Sequence, residues 1–190
     1  MDVKSMLERA AAELKSEFAE TFKPISFETK FTPIRTEPHS IELSPDAERM
    51  AFPRRRNWSG KDRQLITSYF EDRLRNGMWR EVTEKETPQL KWISYPFCVS
   101  RNGKDRVVFN FAPTVNRYTL PDPYRMPNAQ EIRNSTSGSK LFSVLDMQES
   151  FSQFPLAEDS QLYFATELPD GRLVVPTVIL MGPTNSPAAV

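Results

Sequence analysis

Hydrophobic positions in residues 2–22 fall three and four apart, at Val3, Leu7, Ala10, Leu14, Phe18 and Phe22, which predicts an amphipathic helix closed by Pro24. Its apolar stripe reads as packing. Residues 23–57 are punctuated by prolines and keep no period beyond the alternation His39-Ser-Ile-Glu-Leu43, so this part is expected to wrap over a surface. A sharper pattern starts after Trp58. Ser59-Gly-Lys-Asp62 reads as a capping box, Leu65, Ile66, Tyr69, Phe70 and Leu74 share one helical face, and Gly77 ends the helix. Glu81 to Gln89 is polar and reads as a loop.

The alternation then turns strand-like. Trp92–Arg101 and Arg106–Phe111 predict a hairpin about Asn102-Gly103, a pair suited to a type I′ turn. Asn116–Asn128 reads as an extended connection held by Pro121, Pro123 and Pro127, followed by a helical turn or two around Ala129–Arg133. Leu141–Leu145 is an apolar run that predicts a buried strand ending on Asp146, and Phe151 and Phe154 suit a turn of helix leading away. Gln161–Leu168 and Arg172–Leu180 predict a second hairpin around Pro169-Asp170-Gly171. Ser186 before Pro187 reads as a helix cap and first position, yet the chain stops three residues later, so it is expected to be a fragment or a truncated product. Together the elements predict an α+β chain of antiparallel strands with packed helices.

Composition narrows the class without changing that picture. The 190 residues suffice for one domain with a core and leave room for no more than a small second lobe. No apolar run is long enough to span a membrane, and the N-terminus carries no signal-peptide pattern, so an intracellular, unsecreted protein is expected. A single cysteine, Cys98, and a single histidine, His39, exclude a disulfide framework, a cysteine-based zinc site and a histidine cluster. Although the net charge is zero, the charges segregate. Residues 54–80 and 91–140 each hold eight basic against three acidic side chains, whereas residues 141–190 hold one basic against six acidic. Such a division suits a protein that handles a polyanion with the help of cations, and it also suits ordinary solvated faces.

Three groups of residues carry candidate chemistry. Asp146 at a strand end could cap the following turn or hold a metal ion. Arg54, Arg55 and Arg56 beside Trp58 could bind phosphates while the indole stacks on a base, or could simply lead into a helix. Arg101, Lys104 and Arg106 sit at or near the hairpin tip, where they could meet a triphosphate or a nucleic-acid backbone, or keep an edge soluble. His39, with no second ligand of its kind, reads as structural.

The order of these pieces resembles the N-terminal part of the reverse transcriptase of gypsy-type LTR retrotransposons, relatives of retroviral polymerases. The resemblance covers about Pro38 to Val190 and rests on six segments in the family's order. They are His39-Ser-Ile-Glu-Leu43, Leu74-Arg-Asn-Gly-Met78, Pro96-Phe-Cys-Val-Ser-Arg-Asn-Gly-Lys-Asp-Arg-Val-Val-Phe-Asn-Phe111, Asn116-Arg-Tyr-Thr-Leu-Pro-Asp-Pro-Tyr-Arg-Met-Pro127, Phe142-Ser-Val-Leu-Asp-Met-Gln-Glu-Ser-Phe151 and Met181-Gly-Pro-Thr-Asn-Ser-Pro-Ala188.

The resemblance implies a right-hand polymerase: an N-terminal helix and linker over 1–37, a fingers-like region with early palm elements over 38–140, and a partial palm over 141–190. It implies that Asp146 is the first catalytic aspartate and, with the Met147 carbonyl, a ligand of Mg²⁺. Phe151 matches the aromatic gate beneath the sugar, Arg106 and Arg101 match residues that grip the triphosphate, and Met181 with Gly182 lies where the nucleotide pocket is lined. The implied partners are an RNA template, a DNA primer, dNTP and the rest of a Pol polyprotein. The chain departs from the family at Asn110, usually aspartate, and within Ala112–Val115, which is one residue longer and lacks an arginine. Met181 also replaces a more usual Phe or Gln. Truncation before the second catalytic motif, with its paired aspartates, implies an inactive isolated chain. The alternative is a non-catalytic nucleic-acid- or partner-binding module derived from a reverse transcriptase.

Overall fold

The computed structural model describes residues 2–48 and 57–189. The first helix, α1 (Val3–Glu17), starts where the Asp2 carboxylate accepts the Lys4 N–H and stops short of Phe22. Among the described residues its apolar stripe is left largely uncovered: Val3, Leu7, Leu14, Phe18 and Phe22 stay 43–57% exposed. Periodicity dictates which side chains share a face, and it is silent about whether anything covers that face. The pairs Lys4–Glu8 and Arg9–Glu13 support the helix from within.

The proline-rich stretch that follows is a strap, as its pattern suggests. Phe31 N–H donates to the Asn76 carbonyl, Ile34 N–H to Gln153, and His39 N–H to Pro155, each a backbone stitch to a distant part of the chain. Ile41 is buried beneath it, and Leu43 bridges Thr119. Burial lowers the pKa of His39, against an opposing pull from Asp122.

Helix α2 (Gly60–Asn76) forms with the caps the sequence announces. The Ser59 hydroxyl accepts the Asp62 N–H at 3.1 Å and donates to the Asp62 carboxylate at 2.8 Å, while Gly77 closes the helix at φ +85°. Ile66 and Phe70 are fully buried on its inner face. The chain turns directly into β1 (Trp79–Glu81), a strand that begins before the stretch read as loop. Three residues are too few for alternation to register, but Trp79 is 1% exposed, edge-on to Phe70 at 4.9 Å and stacked on Phe109 at 5.6 Å.

The predicted hairpin is β2 (Phe97–Arg101) and β3 (Lys104–Val108), with Asn102 and Gly103 both at positive φ and register Phe97↔Val108 to Arg101↔Lys104. It is shorter than its pattern because Trp92–Tyr95 serves another neighbour. Ser94 bridges Thr166, and Trp92 lies parallel to Tyr118 at 5.5 Å. Helix α3 (Val115–Tyr118) and helix α4 (Ala129–Ser135) follow, the latter with a full Asn128/Glu131 capping box. After α5 (Glu158–Gln161), the second hairpin forms as β4 (Thr166–Glu167) and β5 (Leu173–Pro176), with Gly171 at φ +92° in the turn. Strand β5 also pairs antiparallel with β1, so the sheet order is β1-β5-β4. The core lies between this sheet and α2, continued by the rings of Phe109, Phe111 and Phe164.

Two further expectations fail. Leu141–Leu145 is neither buried nor a strand: Leu141, Phe142, Val144 and Leu145 are 57–91% exposed and no strand is assigned to the segment. Apolar content supplies the tendency to pair, but a strand needs a second backbone, and among the described residues none lies beside it. Ser186 does not cap a helix. It sits inside a short 3₁₀ turn, Ser186–Ala188, and its hydroxyl donates to the Leu180 carbonyl at 2.8 Å.

Candidate functional site

A cavity of about 720 Å³ opens where helix α2, strand β3, the corner after Asp146 and the Leu180–Gly182 turn meet. Helix α2 contributes Tyr69 and Arg73 and β3 contributes Arg106, with Val107–Phe109 forming the wall behind. Met147 and Glu149–Ser152 form one rim, and Met181 with Gly182 the other.

The corner is held in an uncommon backbone conformation. Glu149 has φ +46°, in the left-handed region that costs a non-glycine residue roughly 1–3 kcal/mol when the surroundings impose it. The Glu149 side chain is met there by Arg73. Its guanidinium donates to the Glu149 carboxylate at 3.0 Å and lies 3.7 Å from the Tyr69 ring centre and 4.9 Å from that of Phe27. Only 13% of the Arg73 side chain is exposed. Burial pushes the Tyr69 hydroxyl pKa upward, with Arg73 opposing, so the phenol stays neutral. Further stitches come from Gln148, whose side-chain oxygen accepts the Ile25 N–H at 3.2 Å, and Gln153, whose amide donates to the Gln148 carbonyl at 2.8 Å. A 3₁₀ turn, Ser150–Gln153, then carries half-buried Phe151 against the core.

The opposite rim depends on one glycine and two amides. Gly182 adopts φ +110°, where an L side chain is strained. Asn116 donates to the Gly182 carbonyl at 2.9 Å and accepts the Thr184 N–H at 3.2 Å. Asn185 bonds Leu120 and Asp122 in the same two-way fashion. Met181 projects from this turn, 77% exposed.

Five residues singled out by the sequence therefore meet at one cavity: Arg106, Met147, Phe151, Met181 and Gly182. Arg101 and Lys104 face each other at the end of the hairpin register, outside the lining, where Lys61 pairs with the neighbouring Asp105 at 2.8 Å and holds its carboxyl below the usual range. Asp146 is exposed and directly precedes the lining residue Met147 without being part of the lining. Arg54, Arg55 and Arg56 lie outside the described residues. Tyr69, Arg73, Glu149 and Asn116 were not singled out by the sequence. Arg73, Glu149 and Asn116 act through partners far along the chain, and Tyr69 is set apart from the rest of its helix face only by the Arg73 that lies over its ring. Among the described residues no three His, Cys, Asp or Glu side chains gather to hold a metal. One carboxylate and one carbonyl do not satisfy the octahedral oxygen shell of Mg²⁺, so the residues present do not complete a magnesium site.

No family model matches the chain. It is 34% identical over 87 residues to the enzymatic polyprotein of figwort mosaic virus (strain DxS), a match covering 44% of this chain and 13% of the polyprotein. Against the enzymatic polyprotein of soybean chlorotic mottle virus it is 25% identical over 148 residues, 78% of this chain and 21% of the relative. In fold it is similar to the prototype foamy virus protease-reverse transcriptase (CSH mutant), with a TM-score of 0.77 and 16% identity over 97% of this chain and 23% of that one. The foamy viral enzyme solved with an RNA/DNA hybrid gives a TM-score of 0.73 and 18% identity, covering 99% and 24%. The chain thus spans a quarter or less of each of these relatives. Its mixed helical and antiparallel-sheet fold is similar to that of a segment of these foamy virus enzymes. No helix among the described residues is long and apolar enough to cross a membrane.

Proposed function

We propose that this chain is the fingers and first palm portion of an RNA-directed DNA polymerase from a gypsy-type retrotransposon polyprotein, and that the cavity receives the incoming dNTP. The observation that carries this reading is the convergence of Arg106, Met147, Phe151, Met181 and Gly182 on one cavity. In it, Arg106 donates paired hydrogen bonds to the triphosphate, as a planar guanidinium does to phosphate oxygens. The Phe151 ring supports the sugar and excludes a 2′-hydroxyl by bulk, while Met181 and the Gly182 backbone border the nucleotide.

Asp146 and the Met147 carbonyl supply part of a magnesium shell whose other carboxylates come from outside this chain, and Mg²⁺ in the complete enzyme would align the reacting oxygens. Arg101, Lys104 and Arg54–Arg56 contact the RNA template or DNA primer. The complete protein works in a cytoplasmic particle or the nucleus.

The test is nucleotide binding to the 190-residue chain. Arg106→Ala should weaken dATP binding at least about ten-fold, the range of a lost charge-assisted contact. Phe151→Ala should bring dATP and ATP to equal affinity, and an unchanged preference would refute the gate. Primer extension on an RNA template with Mg²⁺ should yield no product from the isolated chain.

A second reading, a non-catalytic nucleic-acid- or partner-binding module, is favoured by the cationic hairpin tip. It requires RNA/DNA-duplex binding that falls steeply with salt, weakens in Arg101→Ala and Lys104→Ala, and survives Phe151→Ala.

A further inference from the structure

We infer that Arg73 is a positioning residue for the corner that carries Phe151: clamped between Phe27 and Tyr69, its guanidinium holds Glu149 in a left-handed conformation and so fixes how Met147 and Phe151 face the cavity.

Each part of this device is visible. Tyr69 and Arg73 are one turn apart on α2, so the guanidinium lies over the ring of its own helix neighbour, with a further bond from Nη1 to the Tyr69 carbonyl at 3.5 Å. Phe27 approaches from the strap at 4.9 Å, and the strap is itself tied to α2 by Phe31 and to the corner by Ile25 and Ile34. The Arg73–Glu149 pair is shielded, 13% and 33% exposed, where the helix-surface pair Lys4–Glu8 is 81% and 69% exposed. Shielding is what lets an ion pair hold a geometry. A non-glycine residue at positive φ relaxes when its restraint is lost, and Glu149 lies two residues from both Met147 and Phe151. Because its charge is already met by Glu149, Arg73 adds little attraction for a phosphate, which separates its role from that proposed for Arg106.

The link to sugar selection rests on the nucleotide-site reading proposed above; the positioning itself does not. The experiment compares the 190-residue chain with Arg73→Met, Arg73→Lys and Glu149→Gln, by amide exchange with mass spectrometry and by dATP and ATP binding. Exchange over residues 147–153 should quicken at least about ten-fold in Arg73→Met and Glu149→Gln, with protection of α2 and β5 retained. Arg73→Lys, which keeps the charge but not the planar stack, should fall between them and the parent. The dATP preference should shrink in the same order. Unchanged exchange in the folded variants overturns the inference. So does Glu149→Gln tightening the binding of inorganic triphosphate, because Arg73 would then be a phosphate ligand. If the parent chain binds neither nucleotide while exchange responds as stated, the nucleotide reading fails and the positioning role stands.

Discussion

The side-chain amide of Asn116 donates to the carbonyl of Gly182 at 2.9 Å, tying the connection after β3 to the turn that forms one rim of the cavity. Its oxygen accepts the Thr184 N–H at 3.2 Å, so one carboxamide satisfies a donor and an acceptor of the same turn. Asn116→Asp keeps the acceptor but sets a carboxylate oxygen against the Gly182 carbonyl. The expected cost is about 1–3 kcal/mol, read as a fall in the urea midpoint, with looser protection of residues 181–184.

Glu86 ties Arg80 and the Thr83 loop to the sheet. Arg80 bonds it at 2.7 and 2.9 Å, and this pairing, with help from Thr83, holds its carboxyl down to about 2 from an ordinary 4.5. A depressed folded-state pKa stabilises the fold above the unfolded value and stops doing so as pH falls through the folded one. The melting-temperature advantage of the parent over Glu86→Gln should thus be full above pH 4.5 and close toward pH 2. An advantage that persists at pH 2 would contradict this.

Gly77 and Gly60 make a matched comparison, since a Cβ at either would meet nothing within 4 Å. Gly77 lies at φ +85°, and Gly77→Ala should cost about 1 kcal/mol from backbone strain alone. Gly60 opens α2, and Gly60→Ala should raise stability by about 0.4–1 kcal/mol. Equal effects of the same sign would refute the assignment of strain to Gly77.

Val144 and Leu145, 91% and 75% exposed, should accept Asp and Lys with stability changes within about 0.5 kcal/mol and a higher solubility limit. Phe70→Ala, by contrast, should cost about 3–5 kcal/mol. Both are read from chemical denaturation beside light scattering.

What the sequence makes legible is what neighbours in the chain decide. Ser59, Asp62 and Gly77 bound α2 by capping chemistry, and Asn102-Gly103 sets the hairpin register by its tolerance of positive φ. The residues that meet at the cavity were legible because each stands in a short contiguous motif of the resemblance to reverse transcriptases. Arg73 and Glu149 were invisible because they are 76 residues apart and neither type announces its partner. Leu141–Leu145 misled because hydrophobicity measures the wish for a neighbour and not its presence. Ser186 misled because its hydroxyl satisfies the Leu180 carbonyl before any helix can use it.

Strand β5 is the middle of its sheet, and the Thr177 hydroxyl just beyond it reaches the Gly77 carbonyl across 100 residues of chain. That connectivity has a kinetic meaning. The β2–β3 hairpin can close on itself within about 1–10 μs, but β1 has no strand partner until residues 174–176 have been made. A nascent chain therefore carries incompletely covered aromatic surface until β5 has emerged, open to capture by other chains. Arrival of β5 is the step that commits it to a single fold.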